Sequence, residues 1–310
     1  MIHSDKVEIV EVGPRDGLQN ERLSLPVATK VELIESLIKA GVRRLEVASF
    51  VNPKRVPQMA NAEQLLVALP RLPDVSYIGL VLNMKGFDRA LAAGCHEIGM
   101  AVVASNTFSR RNQGVSTEQA IQDWLSIAAA ARAAGIRAQV TISAAFGCPF
   151  EGEVPAQRVI DIVRQVAAAE PFEIALADTI GVAVPSAVTR MIELVRSAVP
   201  GVQLRCHFHD TRNTGIANCY AALEAGVRVL DASAGGAGGC PFAPAATGNV
   251  ATEDLLYLLQ RSGFRSGVSL PGMIGIAQWL QTQLQRTLPG RLSKAGTFPF
   301  ADARPVANGA

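Results

Sequence analysis

Short β-branched or apolar runs alternate with longer amphipathic stretches along most of the chain. Residues 7–12 (VEIVEV) lead into 28–41 (ATKVELIESLIKAG), where apolar positions recur at helical spacing and stop at Gly41. The strand-like run 44–50 precedes a helical pattern over 61–70, 76–82 precedes 86–94, and 97–105 precedes 117–135. Runs at 137–147, 173–181, 203–211 and 227–236 continue the series, each followed by a further helical stretch. Eight strand–helix units imply parallel pairing through right-handed crossovers. Fitted into roughly 250 residues, that pattern suits a (β/α)8 TIM barrel better than a doubly wound sheet. No GxGxxG opens a helix in favour of the latter. One more helical segment, 271–288, precedes a Gly/Pro-containing tail. The chain therefore reads as a single α/β barrel domain over 1–310, with 271–310 as an additional C-terminal helix and tail.

Composition narrows the class of protein. At 310 residues, 49% hydrophobic and 18% charged, with a net charge of +2, the chain is that of a globular protein with a substantial core. Arg43-Arg44 and Arg110-Arg111 are pairs rather than patches, so nothing argues for nucleic acid. The five cysteines (95, 148, 206, 219, 240) are widely spaced, odd in number and lack a CxxC, which favours a reducing, cytoplasmic setting over a disulfide framework or a zinc ribbon. The N-terminus has no signal-like apolar region, and the alanine-rich stretch near 125–134 is too short to span a bilayer. No membrane partner is expected.

The polar oddities gather at one place. In QLRCHFHDT (203–211), His207 and His209 fall on one face of a strand, about 6.6 Å apart, with Leu204, Cys206 and Phe208 on the other. Two such imidazoles are either packed polar residues or half of a metal site. PRDGLQN (14–20) follows the first strand and GGAGGCPFAPAATGN (235–249) the eighth, so both lie with the histidines at the C-terminal rim, where barrels of this kind place active sites. Strands 1, 7 and 8 become neighbours on closure, letting Asp16 converge on His207 and His209. One carboxylate and two imidazoles suit a divalent ion such as Mg²⁺ or Mn²⁺. Asp16 also has a plain reading as turn chemistry, and Arg15 as a solvated loop arginine or a holder of an anionic oxygen. Cys240 follows a glycine run and is either an adventitious thiol or an acid/base group delivered by a mobile loop. Asn249 offers an amide oxygen to a metal or begins a helix. Glu46 shares the parity of Arg44 and Ala48, Asp178 closes strand 6, and Arg205 shares the histidines' face and requires a carboxylate partner there.

With those residues in place, the sequence resembles the 3-hydroxy-3-methylglutaryl-CoA lyase family over nearly its whole length. VEIVEVGPRDGLQNE, RLEVASFVNPKRVPQMA, GCPFEG, ADTIGV, HFHDT and GGAGGCPFAPAATGN carry the resemblance, in that order. It implies a barrel that binds Mg²⁺ or Mn²⁺ and cleaves a tertiary 3-hydroxyacyl-CoA to acetyl-CoA and a keto acid such as acetoacetate. The implied metal ligands are Asp16, His207, His209 and Asn249. Arg15, Asp16 and Cys240 are the implied catalytic group, with Arg15 on the enolate oxygen and Cys240 as the thiol. Arg15, Gln19, Glu46 and Asp178 are the implied substrate contacts, the partner being an acyl-CoA, with a homodimer as the assembly to test.

Some positions depart from the family pattern. Asn106 stands where an acidic residue is usual, Gln113-Gly114-Val115 breaks the motif after Asn112, and Asn213 replaces a glycine. These follow strands 4 and 7, near the acyl group, and keep a citramalyl-CoA or a longer 3-hydroxyglutaryl-CoA open as substrate. Condensing enzymes of the isopropylmalate and homocitrate synthase type share HxH but read RDGEQ, where this chain has Leu18 between Gly17 and Gln19.

Overall fold

The computed structural model describes residues 5–239 and 248–298. Eight strands, β1 (Glu8–Glu11), β2 (Arg44–Ser49), β3 (Ser76–Val81), β4 (Glu97–Val103), β5 (Arg137–Ser143), β6 (Glu173–Asp178), β7 (Leu204–Phe208) and β8 (Val229–Ala232), pair in parallel and in sequence order. Closure comes from β1 against β8, with Glu8 opposite Val229 and Val10 opposite Asp231. This is the TIM barrel expected from the alternating pattern. The helices between strands are α1 (Val27–Lys39), α2 (Ala62–Ala68), α3 (Met84–Ala92), α4 (Asn106–Gln113), α5 (Thr117–Ala133), α6 (Ala156–Ala167), α7 (Pro185–Ala198) and α8 (Gly215–Glu224). After β8 come α9 (Thr252–Arg261), α10 (Leu270–Leu284) and α11 (Leu292–Ala295).

Alternation along each strand divides two interiors. Outward residues such as Leu45, Tyr77, Ile98, Val140, Leu176 and Phe208 join the apolar faces of the helices in the main core. Trp124 of α5 is fully buried there and donates its indole N–H to the Val166 carbonyl at 3.0 Å, so the large ring carries no unmet polar group. Inside the barrel the floor is ionic. Arg44 pairs with Glu97 and Glu173, and Arg205 pairs with Glu173 (3.4 Å) and Asp231 (3.3 Å), which supplies the carboxylate partners that Arg205 requires.

Several ends differ from the sequence pattern. Strands 5, 6 and 7 stop at Ser143, Asp178 and Phe208, short of the apolar runs that suggest them. α4 has no counterpart among the pattern's helices, because NTFSRRNQ buries only Phe108 and Ser109 and shows little apolar periodicity. Gly41 does end α1, by Ala40: its φ is +105° and a Cβ there would lie 2.4 Å from the Gly267 carbonyl oxygen, so only glycine fits. Asn213 has φ +60°, a left-handed backbone that glycine adopts freely and asparagine tolerates. α10 packs against α1 and α9, with Met273 and Leu280 buried in the main core. Among the described residues no helix is long and apolar enough to cross a membrane.

Candidate active site at the barrel rim

After β1 the chain winds into a tight π-helical turn over Gly13–Gly17, in which the Val12 carbonyl accepts from the N–H groups of Arg15, Asp16 and Gly17. A Cβ on Gly17 would meet Ser233 Oγ at 2.8 Å, so a glycine lets the turn press against the β8 end. Glu11 fastens that contact. Fully buried, its carboxylate accepts from Gly13 N (2.8 Å), Ala234 N (2.9 Å) and Thr252 Oγ1 (2.7 Å), while burial pushes its pKa up to about 7.

The turn presents Asp16 to the two histidines. One ligand atom from each of Asp16, His207 and His209 lies within 4.8 Å of the others. The two imidazole centroids are 5.2 Å apart, so both rings do share the inner face. His209, just beyond β7, bridges to Asn249, whose Nδ2 donates to Asp16 Oδ2 at 2.9 Å and to the Ala237 carbonyl at 2.9 Å. That leaves Asn249 Oδ1 and His209 Nδ1 buried without a hydrogen-bond partner. Buried polar atoms are seldom left so. Two orphaned acceptor-type atoms beside a carboxylate and a second imidazole form a donor set of nitrogen and oxygen that fits a divalent cation. All four residues implied as ligands are brought together.

The electrostatics follow from this crowding. Burial works against the Asp16 anion, but Arg15 foremost, then His207 and His209, hold its pKa down at about 2. His209 is depressed to about 4 by burial and by the neighbouring His207. His207 goes the other way: burial disfavours its charge, yet the Asp231 carboxylate at 3.0 Å from Nδ1 outweighs that and raises it. With Nδ1 committed to Asp231, Nε2 is the nitrogen His207 turns to the cluster. Arg15 lies between Glu46 (Nε to Oε1, 2.5 Å) and Asp16 (Nη1 to Oδ1, 2.6 Å); burial opposes its charge, but the two carboxylates overcome it and raise its pKa.

A cavity of about 840 Å³ opens onto this cluster, lined among others by Arg15, Gln19, Glu46, His207 and Asp231. Gln19 accepts from Ser49 Oγ at 3.0 Å. Asp178 stands apart: it lies opposite Phe208 on the outer-facing parity, and its two oxygens accept from Val182 N and Ala183 N at 2.9 Å each. Its carboxylate holds the loop after β6 and is not among the cavity's lining. Cys240 lies outside the described residues. Cys95, Cys148, Cys206 and Cys219 are all buried, and burial raises the thiol pKa of Cys95 (to about 12), Cys206 and Cys219, as suits packing residues. Cys148 accepts from Ser105 Oγ at 2.9 Å inside a small apolar cluster. Asp231 is the functional neighbour that sequence reasoning misses. Its signal was present in the need of Arg205 for a carboxylate, but the partner comes from another strand.

A closed parallel barrel with a charged cluster and cavity at its C-terminal rim defines a TIM-barrel enzyme. The chain belongs to the HMGL-like family, whose sequence profile matches residues 6–280, and it is a carbon–carbon lyase. It is 41% identical over 290 residues to a 3-hydroxy-3-isohexenylglutaryl-CoA/hydroxy-methylglutaryl-CoA lyase of Pseudomonas aeruginosa, covering 94% of this chain and 97% of that one. It is 42% identical over 302 residues to an (R)-citramalyl-CoA lyase of Chloroflexus aurantiacus, covering 94% and 95%. The solved structure of an HMG-CoA lyase from Acinetobacter baumannii in complex with coenzyme A and 3-methylmalate superposes with a TM-score of 0.93 at 36% identity, covering 99% of each chain.

Proposed function

We propose that this lyase cleaves a tertiary 3-hydroxyacyl-CoA, in the first instance 3-hydroxy-3-methylglutaryl-CoA, to acetyl-CoA and a keto acid. The observation that carries the reading is the convergence of Asp16, His207, His209 and Asn249, two of them with unmet buried acceptor-type atoms, beside Arg15 at the mouth of one cavity. These four residues would hold Mg²⁺ or Mn²⁺, which supplies Lewis-acid polarisation of the substrate's hydroxyl and carboxylate oxygens when bound.

The chain's own groups account for the remaining needs. The hydroxyl proton leaves to a basic group of the cluster, the C2–C3 bond breaks, C3 becomes a ketone, and the electron pair passes to C2 and the thioester oxygen as an enolate. Arg15, pinned through Nε and Nη1 by Glu46 and Asp16, turns its remaining amino group to that oxygen, where charge develops only as the bond breaks. Glu46 thereby orients Arg15, and Gln19, whose carbonyl is held by Ser49, presents its amide N–H groups to the substrate. A proton then returns to C2 and completes acetyl-CoA. Cys240, a weak acid on a glycine-rich segment, is assigned that delivery from the sequence.

The second reading is a related acyl group, citramalyl-CoA or a longer 3-hydroxyglutaryl-CoA. The 42% identity to a citramalyl-CoA lyase favours it, as do Gln113 and Val115, which line the cavity where the sequence departs from the family. Acetyl-CoA release from a panel of 3-hydroxyacyl-CoA thioesters, with Mg²⁺ or Mn²⁺, separates these substrates. Consumption of acetyl-CoA with a 2-keto acid would instead identify a condensing enzyme. Arg15→Met is expected to lower turnover by about 10²-fold or more with a smaller change in KM. An effect on KM alone would make Arg15 a binding residue only.

A further inference from the structure

The barrel interior is filled unevenly. On one side Val10, Val12, Ile78 and Val229 pack into an apolar cluster. Beside it, β4 and β5 turn Gly99, Ala101 and Thr141 inward, in register with Gln139 and Arg205. Barrels of this type normally fill these layers with bulky branched side chains. Here the cavity that begins at the metal-type cluster continues down this side, past Leu80, Ala101 and Thr141, to Gly99, Gln139 and Arg205.

Nothing in the backbone demands glycine at position 99. A Cβ there would lie 3.6 Å from Ile78 Cγ2 and 3.9 Å from Gln139 Nε2, which are ordinary contacts. Glycine inside a strand is otherwise destabilising, and it marks places where another group comes close. The end of the cavity is polar and unsatisfied. Gln139 is 1% exposed, yet neither its Nε2 nor its Oε1 has a hydrogen-bond partner, and Arg205 Nη1 is also without one. The Arg205 charge is already answered by Glu173 and Asp231. What is missing there is an uncharged group able both to donate and to accept. A carboxylate would meet two others.

The geometry points to a substrate whose C3 substituent is not methyl but a branch of about five heavy atoms ending in an uncharged hydrogen-bonding group such as a hydroxyl, lying along Ala101, Thr141 and Gly99 with its tip on Gln139. Ala101 and Gly99 on β4, like Thr141 and Gln139 on β5, are one strand repeat of about 6.6 Å apart, the span of about five extended heavy atoms, which sets that length. This assignment rests on the acyl-CoA lyase reading and takes it in its second form, a longer 3-hydroxyglutaryl-CoA, in place of the 3-methyl substrate. Gly99 and Ala101 set how long a branch enters, and Gln139 reads its tip.

The test compares three thioesters: 3-hydroxy-3-methylglutaryl-CoA, the 3-(4-hydroxybutyl) analogue and the 3-pentyl analogue of equal length. For the wild-type enzyme, kcat/KM is expected to be highest for the hydroxybutyl substrate by about tenfold or more. Gly99→Val should cut that value about tenfold while leaving the methyl substrate within about twofold, and Gln139→Leu should reverse the preference between hydroxybutyl and pentyl. Thermal melts accompany each variant. Should Gly99→Val fail to fold, Gly99→Ala, whose Cβ fits, must show a smaller loss in the same direction. A wild-type preference for the methyl substrate, or equal losses on all three thioesters, overturns the assignment while the lyase reading stands. Acetyl-CoA from none of the three overturns both.

Discussion

At the floor of the barrel, Arg44 reaches Glu97 through Nε and Nη2 at 2.8–3.1 Å, Glu173 at 3.1 Å and Glu8 at 3.3 Å, while Glu97 also accepts from Ser76 and Arg137. At the rim, a few strand residues away, His209 and Asn249 are buried and Asp16 and His207 largely so, yet His209 Nδ1 and Asn249 Oδ1 are left unanswered. Both regions bury charge in the same walls. The Arg44 group satisfies itself, and burial is overcome by Arg44, which keeps Glu97 ionised and its pKa lowered. The rim is complete only with something added. Closed valence marks architecture here, and open valence marks chemistry. Arg205 and Asp231 join the two, since Asp231 faces Arg205 with one oxygen and His207 with the other.

The comparison breaks most sharply at the rim ligands. His209→Ala is expected to abolish activity and Mg²⁺ or Mn²⁺ binding with a near-normal melting curve; full activity after chelation, with no metal retained by calorimetry, would contradict the cluster's role. On the floor the effect should be the reverse. Arg44→Met takes the shared cation from two buried carboxylates, Glu97 and Glu173, and is expected to cost about 3–5 kcal/mol of stability in denaturant titration. If instead activity fell without loss of stability, the floor would be part of the site. Between the two, Asp231→Asn keeps the shape but removes the charge behind His207, and metal affinity should fall about 10–100-fold. An unchanged affinity would detach Asp231 from the cluster.

The smallest effect is one of pH. Glu253 of α9 accepts from Gly235 N with one oxygen while the other is buried without a partner, and burial raises its pKa from 4.5 to about 8. The folded state therefore holds this proton where the unfolded state has lost it. Its contribution is full below about pH 4.5 and disappears as pH rises through about 8. Glu253→Gln, a mimic of the neutral form, should flatten the fall in Tm across that window by a few degrees. An identical pH profile in the variant would show that Glu253 is ionised in the fold.

Much of this was legible before the structure. The period-two and helical runs gave all eight strands their places, because a barrel's strands are local and its helices amphipathic. Asp16, His207 and His209 could be gathered because parity places side chains on faces and closure makes β1, β7 and β8 neighbours, while Asn249 joined them only through the family resemblance. What escaped depends on long-range geometry. Asp231 and Glu173 become partners of Arg205 only in the closed register. Asp178 ends its strand on the opposite parity and spends its oxygens on Val182 and Ala183. The winding of PRDG into a π-helical turn, rather than a plain reverse turn, follows from Glu11 beneath it, which no local pattern announces.

The bond between Asn249 and Asp16 spans 233 positions, and that between Thr252 and Glu11 spans 241. Bringing such distant segments together must be preceded by the ordering of nearly everything between them, since their loop-closure entropy is recovered only at the end. During synthesis the amino-terminal strands can assemble from nearest neighbours, but the cation-type cluster has no existence until the last strand meets the first. Cation capture is then a reporter of the final folding event. Refolding kinetics followed by metal uptake should show one late phase, coincident with pairing of β1 and β8, and a chain ending before β8 should never acquire it.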